Sequence, residues 1–171
     1  MKMKWNRAGL LAAVVVLLLV ALAGCGKPKA DVSIFMMFPQ NVSFNKQDEL
    51  KAALQPRIGE SPTVTFAISP FFEPQKMIVE LAAGGHGVFV LPKEQFDVFK
   101  GEEGLVPLDD ILKKEDFPGG VQDGKLLGVP LKDSKLLKEA GYNGGEMYAF
   151  ITERVKNKDQ AKQVLKVMAQ R

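Results

Sequence analysis

The chain has 171 residues, with 23 basic and 20 acidic side chains and a single cysteine, histidine and tryptophan. The net charge of +3 comes from the first seven residues, because removing Lys2, Lys4 and Arg7 leaves 20 basic against 20 acidic groups. A chain that is neutral beyond its start has no basic footprint for nucleic acid, and one cysteine excludes an internal disulfide.

Lys2, Lys4 and Arg7 precede an unbroken apolar run, Leu10–Val20, which is short for a membrane-spanning helix of ~20 residues. Leu22-Ala23-Gly24 then places small residues before Cys25. A positive start, an apolar middle and a small-residue cleavage site mark residues 1–24 as a targeting segment outside any fold. The segment resembles the lipobox of bacterial lipoproteins, which implies cleavage before Cys25 and acylation of its thiol. Residues 25–30 then form a lipidated cysteine and a short tether, holding the domain at the outer face of the cell membrane. The remaining 147 residues suffice for one domain with a real core and are short for two. Trp5 leaves with the targeting segment. The tyrosines are Tyr142 and Tyr148, which weakens a carbohydrate platform, since sugars favour rings with a polar edge.

Asp31–Phe38 is a nearly continuous apolar run and reads as a buried strand. Asn45 is placed to cap a helix through about Gln55, with Leu50, Ala53 and Leu54 inward. Pro56, Gly59 and Pro62 interrupt the chain before Thr63–Ser69, which alternates with Val64, Phe66 and Ile68 on one face. Glu73-Pro74 suits a helix start and Gly84-Gly85 its end, with Met77, Ile78, Leu81 and Ala82 at helical spacing between them. Val88–Leu91 is again continuously apolar, completing a right-handed βαβ unit with a parallel strand pair. Continuous apolar strands belong inside a sheet covered on both faces, and alternation marks an edge, so the expected order is second, first, third.

Lys93–Lys100 reads as a helix with Phe96 and Phe99 inward, and Asp109–Lys114 as another. Asp123-Gly124 is a tight-turn dipeptide within Val121–Leu131. Lys135–Ala140 is a helical turn stopped by Gly141. Glu146–Thr152 reads as a strand beside the third. Asn157 and Gln160 stand at capping-box spacing before a helix whose apolar face is Ala161, Val164, Leu165 and Met168.

Several stretches together resemble extracytoplasmic solute-binding proteins of ABC importers. They are the lipobox, the helix–glycine–strand stretch IVELAAGGHGVFVLP, the segment Gly104–Ile111 (GLVPLDDI), GKLLGVP at Gly124–Pro130, and the closing YAFITERVKNKDQAKQVLKVM. The resemblance implies an α/β fold for residues 31–171: one periplasmic-binding-protein-like lobe, a mostly parallel sheet with a late antiparallel or return strand, and helices on both faces. The chain departs from the family in having His86-Gly87 where an acidic residue is common, and in having room for one lobe where the family closes two over a ligand.

Open α/β sheets bind ligands beyond the carboxyl ends of their strands. Those ends supply the Ser69 hydroxyl, the apolar Phe71 and Phe72, and the Lys93 charge as candidate ligand-binding residues. Phe71-Phe72 reads equally as packing beneath the loop or as a protein contact. His86 has no partner cysteine or carboxylate cluster in sequence and reads as a turn residue, so no metal or cofactor is expected. Ser69 and Ser134 lack a sequence constellation for nucleophilic catalysis. The expected protein is a non-catalytic, membrane-anchored lipoprotein that binds or senses a small solute. The alternative is a structural or protein-interaction envelope lipoprotein that has lost its ligand, with a hydrolase the remotest reading.

Overall fold

Three strands are hydrophobic at every position except Ser33, and the architecture follows from covering both of their faces. In the computed structural model, residues 29–40, 42 and 44–170 are described; the targeting segment, Cys25 and most of the tether lie outside the described residues. The elements run β1 (Val32–Met37), α1 (Gln47–Ile58), β2 (Val64–Ser69), α2 (Pro74–Ala83), β3 (Val88–Pro92) and α3 (Lys93–Lys100). A short hairpin β4 (Val121–Gln122) and β5 (Lys125–Leu126) follows, then β6 (Val129–Pro130), α4 (Lys135–Glu139), β7 (Met147–Phe150) and α5 (Lys158–Met168).

One sheet has the order β2-β1-β3-β7-β6. The first three strands are parallel and in the expected order, while β7 lies antiparallel beside β3 as the return strand. Strand β6 adds a second antiparallel pairing, through Val129 and Pro130, so the sheet is mixed where a mostly parallel one was expected. Two residues between turns gave no period to read.

Alternation within β1, β3 and β7 sends side chains to two cores. Ile34, Met36, Val88, Val90, Met147 and Ala149 join the larger one, packed with Leu50 and Leu54 of α1 and Val164 and Leu165 of α5. Phe35, Met37, Phe89, Leu91, Tyr148 and Phe150 face the other way, where Met77 of α2 and Phe96 of α3 complete a smaller core. Tyr148 and Phe96 stack with centroids 4.6 Å apart and planes 5° from parallel.

Several local expectations need correction. Asn45 does not cap α1, which begins at Gln47 with Lys46 before it and no side-chain cap. Pro56 lies inside the last turn of α1 instead of breaking it. There Gln55 substitutes for missing main-chain pairing, accepting from the Val64 amide (2.8 Å) and donating to the Gly59 (2.7 Å) and Pro62 (3.1 Å) carbonyls. Asp109–Lys114 is not a helix. The Leu108 carbonyl accepts from both Ile111 and Leu112, closing one turn, while the Asp109 carboxylate is held by the Leu126 amide at 3.0 Å. Two 3-10 turns follow, at Lys114–Asp116 and Pro118–Gly120. On α2, Met77 is buried and Leu81 half-buried, but Ile78 and Ala82 are exposed. The helix is rolled so that Met77, Glu80, Leu81 and Gly84, at spacings of three and four, form the inward row.

The dipeptide turn is as read: Asp123 and Gly124 both have positive φ (49° and 77°), the pair a two-residue hairpin of this type needs. Asn157 caps α5, its Oδ1 accepting from the Gln160 amide at 3.3 Å.

Gly120 permits the closest backbone approach near β6. A Cβ there would lie 1.7 Å from the Gly128 carbonyl oxygen, a main-chain atom with nowhere to move. Gly120→Ala is expected to cost roughly 2–3 kcal/mol in urea unfolding. Gly145→Ala, where a Cβ meets nothing within 4 Å, is expected to stay within about 0.5 kcal/mol of the parent.

Candidate functional site

The four candidate residues lie at the carboxyl ends of β2 and β3, but they form no common cradle, because β1 runs between the two strands. Ser69 is fully buried. Its hydroxyl donates to the Phe71 carbonyl at 3.1 Å and accepts from the Lys76 ammonium at 3.4 Å, so its capacity is spent locally. Phe72 packs against the smaller core, whereas Phe71 is 48% exposed. Lys93 opens α3 and pairs with Asp97 one turn on, and Lys100 reaches the other Asp97 oxygen at 3.0 Å. The hydrogen bond from Lys93 holds the Asp97 carboxyl below its ordinary value, and the same bond raises Lys93. Of the predicted ligand set, only Phe71 presents an uncommitted side chain.

The better-formed concavity lies between α2 and α3, over the smaller core. It is a groove of about 640 Å³ with Leu81, Phe99 and Leu105 among its apolar lining and Ile78 and Val98 on its flanks. Its floor is built where residues 104–106 run antiparallel to 151–153. Val106 donates to Ile151 (2.9 Å), Glu153 donates to Gly104 (2.8 Å), and Leu105 bridges Thr152. Thr152 is 7% exposed, and its hydroxyl is buried without a hydrogen-bond partner among the described residues. Such an orphan costs about 1–3 kcal/mol unless something satisfies it. Glu102 and Glu103 stand at one end of the groove. Nothing in the residue pattern marks this groove, because its floor is made by two segments that read as loop and strand end.

His86 has partners that sequence reading missed. Its Nδ1 is 2.8 Å from the Ser33 hydroxyl and its Nε2 is 2.9 Å from a Glu80 carboxylate oxygen. The ring lies 5.1 Å from Phe35 and 5.7 Å from Phe89, centroid to centroid. Two signals for this cluster were legible. Ser33 is the one polar residue inside the β1 run, and Glu80 sits one turn before the glycine that ends α2. Residues Gly84–Gly87, Ser33 and His86 line a second cavity of about 650 Å³ at the amino ends of β1 and β3.

Among the described residues no group of three or more histidine, cysteine, aspartate and glutamate side chains is placed to hold a metal ion, and no helix is long and apolar enough to cross a membrane. The sequence matches no model of a known protein family and no curated protein.

The Asp97 pairing makes a pH prediction. A carboxyl depressed in the folded state contributes stability above its unfolded pKa of ~3.9 and loses it as pH falls through the lower folded value. Stability measured by urea titration should therefore fall less steeply on acidification below about pH 4 in Asp97→Asn than in the parent.

Proposed function

We propose that this is a lipid-anchored protein of the extracytoplasmic face of a bacterial cell membrane, built on a single solute-binding-like lobe, whose α2–α3 groove works by binding. The occupant we favour is an apolar segment of another envelope protein, flanked by lysine or arginine. One observation carries this reading. The large hydrophobic side chains most exposed among the described residues, Phe71 (48%), Ile78 (60%), Val79 (64%) and Val98 (63%), belong to α2, to α3 or to the loop that enters α2. Exposed apolar residues gathered on one side mark contact surfaces, whereas scattered ones carry no such meaning. The acidic pair Glu102 and Glu103 favours positive flanks on the occupant.

Capture of an apolar solute is the second reading. The groove's volume falls in the range of small-molecule sites, and the unpaired Thr152 hydroxyl would orient a polar group. The openness of its walls favours the protein segment, because residues exposed by 60% or more do not enclose a small molecule. The lipobox resemblance supports the anchor, and the stretches similar to solute-binding proteins support the lobe.

A photo-crosslinking residue placed at Ile78 in the full chain, in native membranes, tests the groove. The expected product is a crosslink to an apolar segment of a different protein with basic flanks, weakened by Glu102→Lys/Glu103→Lys. Crosslinks confined to this chain would overturn that occupant, as would no crosslink together with a melting temperature raised by an apolar solute. The anchor is tested independently: Cys25→Ser is expected to abolish lipid labelling and to leave the precursor unprocessed.

A further inference from the structure

We propose that Ser33, His86 and Glu80 form a serine-nucleophile site that hydrolyses small acidic esters, in the cavity at the amino ends of β1 and β3. This activity is separate from the groove and does not rest on it.

The hydrogen bonds arrange the three side chains as nucleophile, base and orienter. A carboxylate only accepts, so with a neutral imidazole the Nε2 proton goes to Glu80, and Nδ1 is left as the acceptor for the Ser33 hydroxyl. This is the tautomer that a general base needs: a free lone pair directed at the hydroxyl, and the opposite N–H held by a negative charge. The two ring nitrogens have exchanged roles relative to the commoner arrangement, which leaves the proton transfer unchanged. His86 is largely enclosed, with 13% of its side chain exposed against 30% for Glu80. The Phe35 and Phe89 rings fix its orientation, and Ser33 and His86 both line the cavity.

The surroundings suit an ester carrying negative charge. Lys29 and Lys156 line the cavity, and neither is ion-paired among the described residues. The nearby Asp31 carboxylate is engaged elsewhere, accepting from the Thr63 amide and hydroxyl, both at 2.8 Å. The glycine turn supplies candidate donors for a developing oxyanion. The Gly87 amide is taken by the Ser33 carbonyl at 2.7 Å, while no such main-chain partner takes the amides of Gly85 and His86.

The step balances without a further reactant except water. The Ser33 oxygen attacks the ester carbonyl as its proton passes to His86 Nδ1, and Glu80 stabilises the imidazolium through Nε2–H. The carbon–oxygen bond to the alcohol then breaks, and the departing oxygen takes the proton from Nδ1. Water attacks the acyl-Ser33 and gives a proton to Nδ1. Ser33 leaves the carbonyl and recovers that proton, releasing the acid.

The full-length protein is treated with a fluorophosphonate, which forms a bond from serine oxygen to phosphorus as fluoride leaves, and is assayed with 4-nitrophenyl acetate and the 4-nitrophenyl monoester of succinic acid. The expected result is an adduct on the peptide containing Ser33, with the succinate ester cleaved faster than the acetate. Labelling is expected to be absent in Ser33→Ala and slowed about a hundredfold or more in His86→Gln, with a smaller loss in Glu80→Gln. Wild-type labelling no faster than Ser33→Ala, or an adduct on another residue, overturns the proposal. The wild-type measurement needs no variant to fold, and the melting temperature of Ser33→Ala reports separately on whether the cluster also braces α2.

Discussion

The structure depends on one constraint: apart from Ser33 at the amino end of β1, the strands β1, β3 and β7 carry hydrophobic side chains throughout, so neither face of the sheet can meet water. Period-two alternation divides these side chains between two cores. Each face then requires its own helical cover, and the chain supplies the covers unequally. Helices α1 and α5, with α4, the hairpin and the loops around them, seal one side. The other side has α2 and α3, of ten and eight residues. The groove is what remains where two short helices cover a surface wide enough for more.

That inequality also explains the exposed residues. Ile78, Val79 and Val98 sit on helices whose inward rows are used on Phe35, Phe89 and Phe150, and no third helix packs against their flanks among the described residues. Burying one such side chain is worth about 1.5–3 kcal/mol. A chain that leaves three of them in water beside an unsatisfied Thr152 hydroxyl forgoes stability that a partner could recover. This is the physical basis for assigning binding to this side, and it does not depend on the solute-binding resemblance.

Much of the fold was legible because strand order follows from how hydrophobicity repeats. The alternating β2 became the edge, and the continuous β1 and β3 became the centre. The return strand and α5 were equally readable from a run of apolar residues and from a capped apolar face. What failed to read were segments whose conformation is decided by distant partners. Asp109–Lys114 has helix-compatible residues, but the Asp109 carboxylate accepts from the Leu126 amide of β5 and the adjoining Leu108 amide donates to the Leu126 carbonyl. Gln55 overrides the break expected at Pro56 by hydrogen-bonding to three places across the connection into β2. Strand β6 is two residues long and exists only because β7 offers it an edge.

The site was less legible than the fold for the same reason. Ser69, Phe72 and Lys93 were sensible candidates by position, yet a side chain's place at a strand end does not say whether its hydrogen-bonding capacity is already used. His86 was judged by its neighbours in sequence, and its partners lie 53 residues upstream and six residues upstream. The roll of α2 links these outcomes. Turning Glu80 toward His86 goes with Met77 and Leu81 packing on the sheet, and leaves Ile78 and Val79 on the outside. The helix that completes the Ser33–His86–Glu80 cluster at one end of the sheet therefore also presents the apolar flank of the groove. The two concavities thus share one helix, although their linings differ and would serve different chemistry.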